Sequence, residues 1–264
     1  MNGRQREEAE PGMDVIVLAG GFARRMWPLT RDRPKQLLPI AGKPMISYTL
    51  DKLKDMDCLE NVFLSTNEVF EENFRFFLSD HGDEKIKLVI EPSTAEEKKL
   101  GSVGGLGYLI RKERLSRDTM IIGGDNIFEF HPSEAVERFR EIDMDLVAVH
   151  DVGTKERARL YGIVDVDDDG VITGFLEKPD NPPSTLAATA FYIFTGDTMS
   201  LVLKYIDEGG KPDALGHFVD YLVRKKPVHA WRFSGNWFDI GSLEVYHEAD
   251  SFFEKASDLT GSSD

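Results

Sequence analysis

The sequence predicts an α/β protein built on a mostly parallel mixed sheet with helices on both faces. Three observations predict it. Short apolar runs rich in β-branched residues recur along the chain at Val15–Leu18, Asn61–Thr66, Ile86–Ile90 and Thr119–Ile122, which is the pattern of buried strands. Stretches with apolar residues at helical spacing separate them, and that alternation gives a parallel sheet covered on both sides. Glycines, cations and carboxylates gather just after these strands, at Gly20, Glu91 and Asp125, where open sheets of this kind bind ligands.

Val15 to Leu18 is the first strand, and it runs into the small-residue turn Ala19-Gly20-Gly21. Glycine there lets backbone N–H groups approach a ligand without a side chain in the way. Lys43-Pro44-Met45-Ile46 is expected to open a helix with Pro in its first turn, and Ile46, Leu50 and Leu53 then share one buried face. After the strand Asn61–Thr66, the stripe Phe70, Phe74, Phe77 and Leu78 marks a second helix packed on the core. The loop after Ile90 carries Glu91, a charged insert from Ala95 to Lys99, and a glycine-rich helix start from Gly101 to Gly107. The strand from Thr119 leads to Asp125, and Asp145 to His150 is another strand. Tyr161–Asp167 and Val171–Pro179 flank Asp168-Asp169-Gly170 as the arms of a β-hairpin. An apolar strand follows at Ala188–Phe194, then two helical stretches, then a strand at Val228–Phe233 leading to Trp237–Ser242. A last helix is expected from Leu243 to about Ala256.

The chain has 264 residues, 41% of them hydrophobic, enough for one large α/β domain, which we place at residues 13–256. Residues 1–12 are polar throughout and read as a disordered extension or a mis-called start, with Met13 the true start; residues 257–264 read as a polar tail. No signal peptide is visible, and no apolar run approaches the roughly 20 residues that cross a bilayer. A membrane partner is therefore not expected. One cysteine, Cys58, excludes an internal disulfide and fits a reducing cytoplasm. The six histidines lack metal-ligand spacing. With 32 basic against 47 acidic residues the net charge is −15, which disfavours nucleic acid as a partner. Against that acidity, Arg24, Arg25, Arg31, Arg33, Lys35 and Lys43 form a local positive patch opposed only by Asp32. A glycine turn followed by clustered cations is how proteins commonly hold polyphosphate.

The order of these parts resembles the signature of the sugar-1-phosphate nucleotidylyltransferases, or sugar-nucleotide pyrophosphorylases. Their pattern L-A-G-G-x-G-T-R-L-x-P-L-T, then P-K-x-L-L-P, is met here by Leu18-Ala-Gly-Gly-Phe-Ala-Arg-Arg-Met-Trp-Pro-Leu-Thr30 and Pro34-Lys-Gln-Leu-Leu-Pro39. Ala23 stands for the usual Gly, a small change if the local φ is negative. Arg24 stands for Thr, adding a cation and removing a hydroxyl. Four later segments agree in family order: Leu100–Leu106 with L-G-T-A-G-A-L, the strand ending at Asp125, the hairpin with Glu177-Lys178-Pro179, and Trp237–Ser242 with W-x-D-I-G-T. The resemblance spans Met13 to about Glu254, and no hexapeptide repeat follows it.

The resemblance implies a Rossmann-like nucleotidyltransferase fold with a small β-hairpin sugar-binding subregion, a nucleoside triphosphate and a sugar 1-phosphate as partners, and Mg²⁺ as cofactor. It assigns Leu18, Ala19, Gly20, Gly21, Glu91 and Gly101 to the nucleotide, Arg25 to its β and γ phosphates, and Lys35 to the α-phosphate. Gly162 and Glu177 would bond sugar hydroxyls, Lys178 would take the sugar phosphate, and Asp125 and Asp239 would hold the metal. The implied reaction is attack of a sugar-1-phosphate oxygen on the α-phosphorus, with pyrophosphate leaving. The nucleophile is already an anion, so the difficulty is bringing two polyanions together, at about 4 kcal/mol per unit-charge pair 4 Å apart in an effective dielectric near 20. Cations and positioning are therefore expected to carry catalysis. Glucose 1-phosphate with dTTP or UTP is the leading substrate pair. Mannose 1-phosphate with GTP is the second, suggested by Glu91-Pro92 and Leu100-Gly101. A non-catalytic sensor of the same shape is the rival of another class. A dinucleotide oxidoreductase and a P-loop ATPase lack their glycine motifs here. The sequence is compatible with a homo-oligomer without indicating one.

Overall fold

A computed structural model of the chain describes residues 12–261. The expected N-terminal extension therefore falls, but for Gly12, outside the described residues. The chain runs β1 (Met13–Leu18), the short ribbon β2 (Pro39–Ile40) and β3 (Lys43–Pro44), α1 (Ser47–Lys54), β4 (Leu59–Asn67), α2 (Glu71–His81), β5 (Ile86–Glu91), α3 (Gly101–Glu113) and β6 (Thr119–Gly123). It continues through β7 (Asn126–Phe128), α4 (Pro132–Ile142), β8 (Asp145–Asp151), α5 (Lys155–Ala158), β9 (Gly162–Val166), β10 (Ile172–Glu177) and β11 (Leu186–Phe194). Then come α6 (Gly196–Asp207), α7 (Leu215–Leu222), β12 (Val228–Arg232), β13 (Trp237–Asp239) and α8 (Leu243–Gly261).

Nine strands form one mixed sheet in the order β10-β9-β11-β6-β1-β4-β5, with β8 paired to β11 and β12. The part β6-β1-β4-β5 is parallel, as the helix–strand alternation predicts. Beyond β6 the sheet turns antiparallel, because β11 runs against β6, β8 and β9. Alternation along β1 divides the core. Val15 and Val17 point to the face covered by α1, α2 and α4, and Ile16 points to the face covered by α3, α6 and α7. Phe70 and Phe74 are buried, with Phe77 and Leu78 packed at the edge of that face, so the aromatic stripe is core as expected. The hairpin β9–β10 is antiparallel, its turn held by Asp167 Oδ1 accepting from the N–H groups of Asp169 and Val171.

Two local expectations change. Lys43 and Pro44 do not open a helix: they form β3, and α1 begins at Ser47. The reason is the two-residue turn Ala41-Gly42, both at positive φ (46° and 77°), which matches a tight hairpin turn. The last helix continues to Gly261 instead of stopping near Ala256; Tyr246, Ala249, Phe252 and Phe253 pack its earlier turns against the β2–β3 ribbon and Phe238. Two short strands, β7 and β13, and the helix α4 had no counterpart in the sequence reading. The β7–β13 pair forms its own two-stranded ribbon at the ligand edge.

Candidate functional site

Leu18 ends β1 and Gly123 ends β6, and the two are register partners on adjacent parallel strands. Their loops therefore open at the same sheet edge, and Gly124 N–H donates to the Leu18 carbonyl at 2.8 Å to hold them together. A cleft of about 420 Å³ lies over this edge. Of the residues assigned from the sequence, Leu18, Gly20, Gly21, Lys35, Glu91, Gly101, Asp125, Gly162, Glu177, Lys178 and Asp239 all line it. Ala19 and Arg25 do not. Ala19 is buried, and Arg25 is exposed on the turn Arg24–Met26, outside the cleft lining.

Each end of the cleft has a carboxylate seated against glycines. At one end Glu91 closes β5, accepts from Ser65 Oγ at 2.8 Å, and lies where a Cβ on Gly20 would come within 3.0 Å of it. Gly105 of α3 approaches the same carboxylate. Burial pushes the Glu91 carboxyl up, against the lowering effect of the Ser65 hydroxyl. Gly101 starts α3 at φ 76°, and a Cβ there would overlap the Pro212 backbone. The next N–H groups are already committed: Ser102 donates to Asp213, and Val103 and Gly104 donate to Pro212. The backbone N–H groups that follow Gly101 are therefore not free to face the cleft.

At the other end Glu177 closes β10. Its carboxylate sits between Gly162 and Gly216, and a Cβ on Gly216 would overlap it. Lys178 follows at φ 48°, a conformation unfavourable for a side-chain-bearing residue, fixed by its N–H donating to the Tyr161 carbonyl at 3.0 Å. Its side chain is 60% exposed, with Nζ 3.9 Å from Glu177, so the ammonium stands at the mouth available to an anion.

Between the two ends lie Asp125 and Asp239. The β7–β13 ribbon sets Asp239 opposite Asn126. The Trp237 indole N–H donates to Asn126 Oδ1 at 2.7 Å, and because an indole only donates, the Asn126 amide must turn its NH₂ to the carboxylates. It donates to Asp125 Oδ1 at 2.9 Å. Lys35 meets Asp125 at 2.6 Å, with side chains 10% and 30% exposed. Burial alone would raise the Asp125 carboxyl, but the Lys35 ammonium, together with hydrogen bonds from Asn126 and the backbone, outweighs it and holds the group below the usual range. Asp239 is the reverse case: burial, and then the charge of Asp125, push it up to about 6. The pair is thus short of positive charge even with Lys35 beside it. Among the described residues no group of three or more His, Cys, Asp or Glu forms a metal cage. Two carboxylates facing an open cleft nevertheless fit Mg²⁺, which takes few protein ligands and completes its shell with water and phosphate oxygens.

The chain matches the nucleotidyl transferase family over residues 14–256. It belongs to that family. A bifunctional protein GlmU of Methanocaldococcus jannaschii is 31% identical over 87% of this chain, which spans only 51% of that relative's length. The UTP–glucose-1-phosphate uridylyltransferase AglF of Haloferax volcanii is 28% identical over 90% of this chain and 95% of its own. A crystal structure of a UDP-glucose pyrophosphorylase complexed with UDP-glucose superposes with a TM-score of 0.78 at 21% identity, covering 93% of this chain and 99% of that one; it supports the fold.

Ala23 departs from the family glycine, and the structure places it at φ 48°. The condition under which alanine would be a small change is therefore not met. The positive patch is also partly neutralised: Arg24 pairs with Glu97 at 2.9 Å and Lys43 with Asp51 at 2.6 Å. Asn126, Trp237 and Gly216 are the site residues that the sequence reading left without a role. Asn126, next to Asp125, was the one with a local signal. Gly216 reaches Glu177 only through the packing of α7 on β10. No helix among the described residues is long and apolar enough to cross a membrane.

Proposed function

We propose that this chain transfers a nucleotidyl group from a nucleoside triphosphate to a sugar 1-phosphate, forming an NDP-sugar and pyrophosphate, with glucose 1-phosphate and UTP or dTTP as the substrate pair. One observation carries the reading: a single cleft has a glycine-seated carboxylate at each end and, between them, two carboxylates with Lys35. Two polar ligands could lie end to end in it and meet at the cation. The likeness to a relative named for UTP and glucose 1-phosphate over nearly its whole length supports the substrate choice.

Glu91 and Gly101 would orient the base, and Gly20 and Gly21 would let the ribose and phosphates lie close to the backbone. Glu177, fixed between Gly162 and Gly216, would accept from sugar hydroxyls, while Lys178 takes the sugar phosphate. Asp125 and Asp239 would hold Mg²⁺, which supplies charge neutralisation for the phosphate oxygens when bound. Lys35 is the cation nearest the carboxylate pair and is assigned to the α-phosphate, where negative charge builds in the transition state. No residue need act as a strong base, since the attacking oxygen carries its charge already. Arg25 is assigned to the leaving pyrophosphate, which requires its side chain to turn inward from its exposed position.

Pyrophosphate release, measured with the four NTPs plus dTTP against several sugar 1-phosphates including mannose 1-phosphate, tests the proposal. Turnover is expected to be highest with glucose 1-phosphate and UTP or dTTP. A maximum with mannose 1-phosphate and GTP would replace the substrate assignment, and no release with any pair would overturn the activity.

A further inference from the structure

A departure from the family pattern and the charged segment from Ala95 to Lys99 meet in space. Arg24, which replaces the usual threonine, pairs through its guanidinium with Glu97 at 2.9 Å, across 73 residues of sequence. Glu97 belongs to the charged insert between β5 and α3. The two partners flank the nucleotide end of the cleft without lining it: Arg24 follows Ala23, and Glu97 shortly precedes Lys99, Gly101 and Ser102, and these four neighbours do line it. The neighbouring Glu96 is committed to Lys99 at 2.8 Å, so Glu97 is left with Arg24 as its own partner.

We propose that Arg24 is an additional phosphate-binding residue for the nucleotide, held at the rim by Glu97 in the free protein and handed over when a triphosphate enters. The inference rests on the nucleotidyl-transfer reading above. The exchange is chemically favourable. Side chains are 50% and 69% exposed in the pair, and exposed ion pairs are weak because water screens them. A triphosphate offers several charged oxygens in place of one carboxylate, and the planar guanidinium can bind phosphate with two donors at once. The ring of Trp27 lies 5.8 Å from the Arg24 guanidinium, with Arg31 on the same ring at 5.3 Å. The cation therefore has an aromatic support that it keeps on releasing Glu97.

Calorimetric titration of the full chain with magnesium tripolyphosphate and with UTP separates the outcomes. Glu97→Gln is expected to tighten binding about two- to fivefold, the worth of one exposed ion pair. Arg24→Thr is expected to weaken it about tenfold. In the Arg24→Thr background the Glu97→Gln change is expected to do nothing. Both side chains are exposed, so folding is not at stake. Unchanged or weaker binding by Glu97→Gln overturns the proposal, because it means that the pair only ties the two walls together. Equal tightening in both backgrounds also overturns it, since the effect is then general charge repulsion. Wild-type protein that binds neither probe overturns the nucleotidyl-transfer reading as well, and that result is read from the wild type alone.

Discussion

Replacing Lys35 by methionine removes the cation paired with Asp125 while keeping most of its apolar stem. At 2.6 Å the Coulomb attraction between Lys35 and Asp125 is about 6 kcal/mol at an effective dielectric near 20, and the cost of burying both groups offsets much of it. Removing one partner of a buried pair typically costs about 3–5 kcal/mol. Asp125 keeps 30% exposure, so water will relieve part of this, and we expect about 2–3 kcal/mol. For a chain of this size that is about 4–6 °C in Tm. The pH dependence follows from the sign of the shift. In the wild type Asp125 is held below its usual range, so its stabilising contribution is present at neutral pH and is lost as pH falls through that lowered value. In Lys35→Met the group is no longer held down and instead joins Asp239 in being pushed up. The deficit should be full near pH 7 and shrink towards about pH 4, as both carboxyls take up protons. Urea melts of the two proteins in metal-free buffer at both ends of that range measure it. Added Mg²⁺ should restore the variant more than it stabilises the wild type. Equal stability at neutral pH, or a deficit independent of pH, would refute the account of the pair.

Asp239→Asn should raise the Tm of the metal-free protein, because a carboxyl pushed from 3.8 to about 6 withholds about 3 kcal/mol of stability once ionised; the same variant should lose Mg²⁺-dependent turnover, and a lower Tm together with intact Mg²⁺ dependence would contradict both. In the wild type, Mn²⁺ binding followed by electron paramagnetic resonance should weaken as pH falls through about 6, since the metal must displace the Asp239 proton; a flat profile down to about pH 5 would contradict it. Gly216→Ala should displace the Glu177 carboxylate and raise KM for the sugar phosphate, leaving the calorimetric affinity for nucleotide unchanged; a loss confined to nucleotide affinity would assign Glu177 to the wrong end. Ala23→Gly should relieve about 1–2 kcal/mol of left-handed strain against about 0.4–1 kcal/mol of added unfolded-chain freedom, for a net gain of about 0.5–1 kcal/mol in chemical denaturation, and a loss of stability would show that the backbone at φ 48° is not strained.

Much of this architecture was legible because it is local. Val15–Leu18, Ile86–Ile90 and Thr119–Ile122 announce buried strands by composition, and the loops after them hold Gly20, Glu91 and Asp125 where the cleft forms. Pro44 misled because proline suits a helix start, while the deciding signal was the adjacent Ala41-Gly42 turn, whose positive φ values no apolar period reports. The helix α4 was legible and was missed: Ala135, Val136, Phe139 and Ile142 recur at helical spacing on its buried face, and His131, Pro132 and Glu134 make a complete N-terminal cap. Other features depend on distance in the chain. Glu177 finds Gly216 only through the packing of α7 on β10, and the backbone at Pro212 and Asp213 occupies the N–H groups that begin α3. The Arg24–Glu97 pair also joins segments that no local pattern connects.

The β7–β13 ribbon has a bearing on biosynthesis. A polypeptide that has emerged only as far as Arg232 already contains every strand of the nine-stranded sheet, yet Asp125 still lacks its companion. Domains made on the ribosome can begin to organise from the N-terminal side before the chain is finished. Such a precursor would present the Glu91 end of the cleft with Asp125 alone, and β13, made after the whole sheet, would bring Asp239 beside it and complete the proposed metal site only once the sheet is in place.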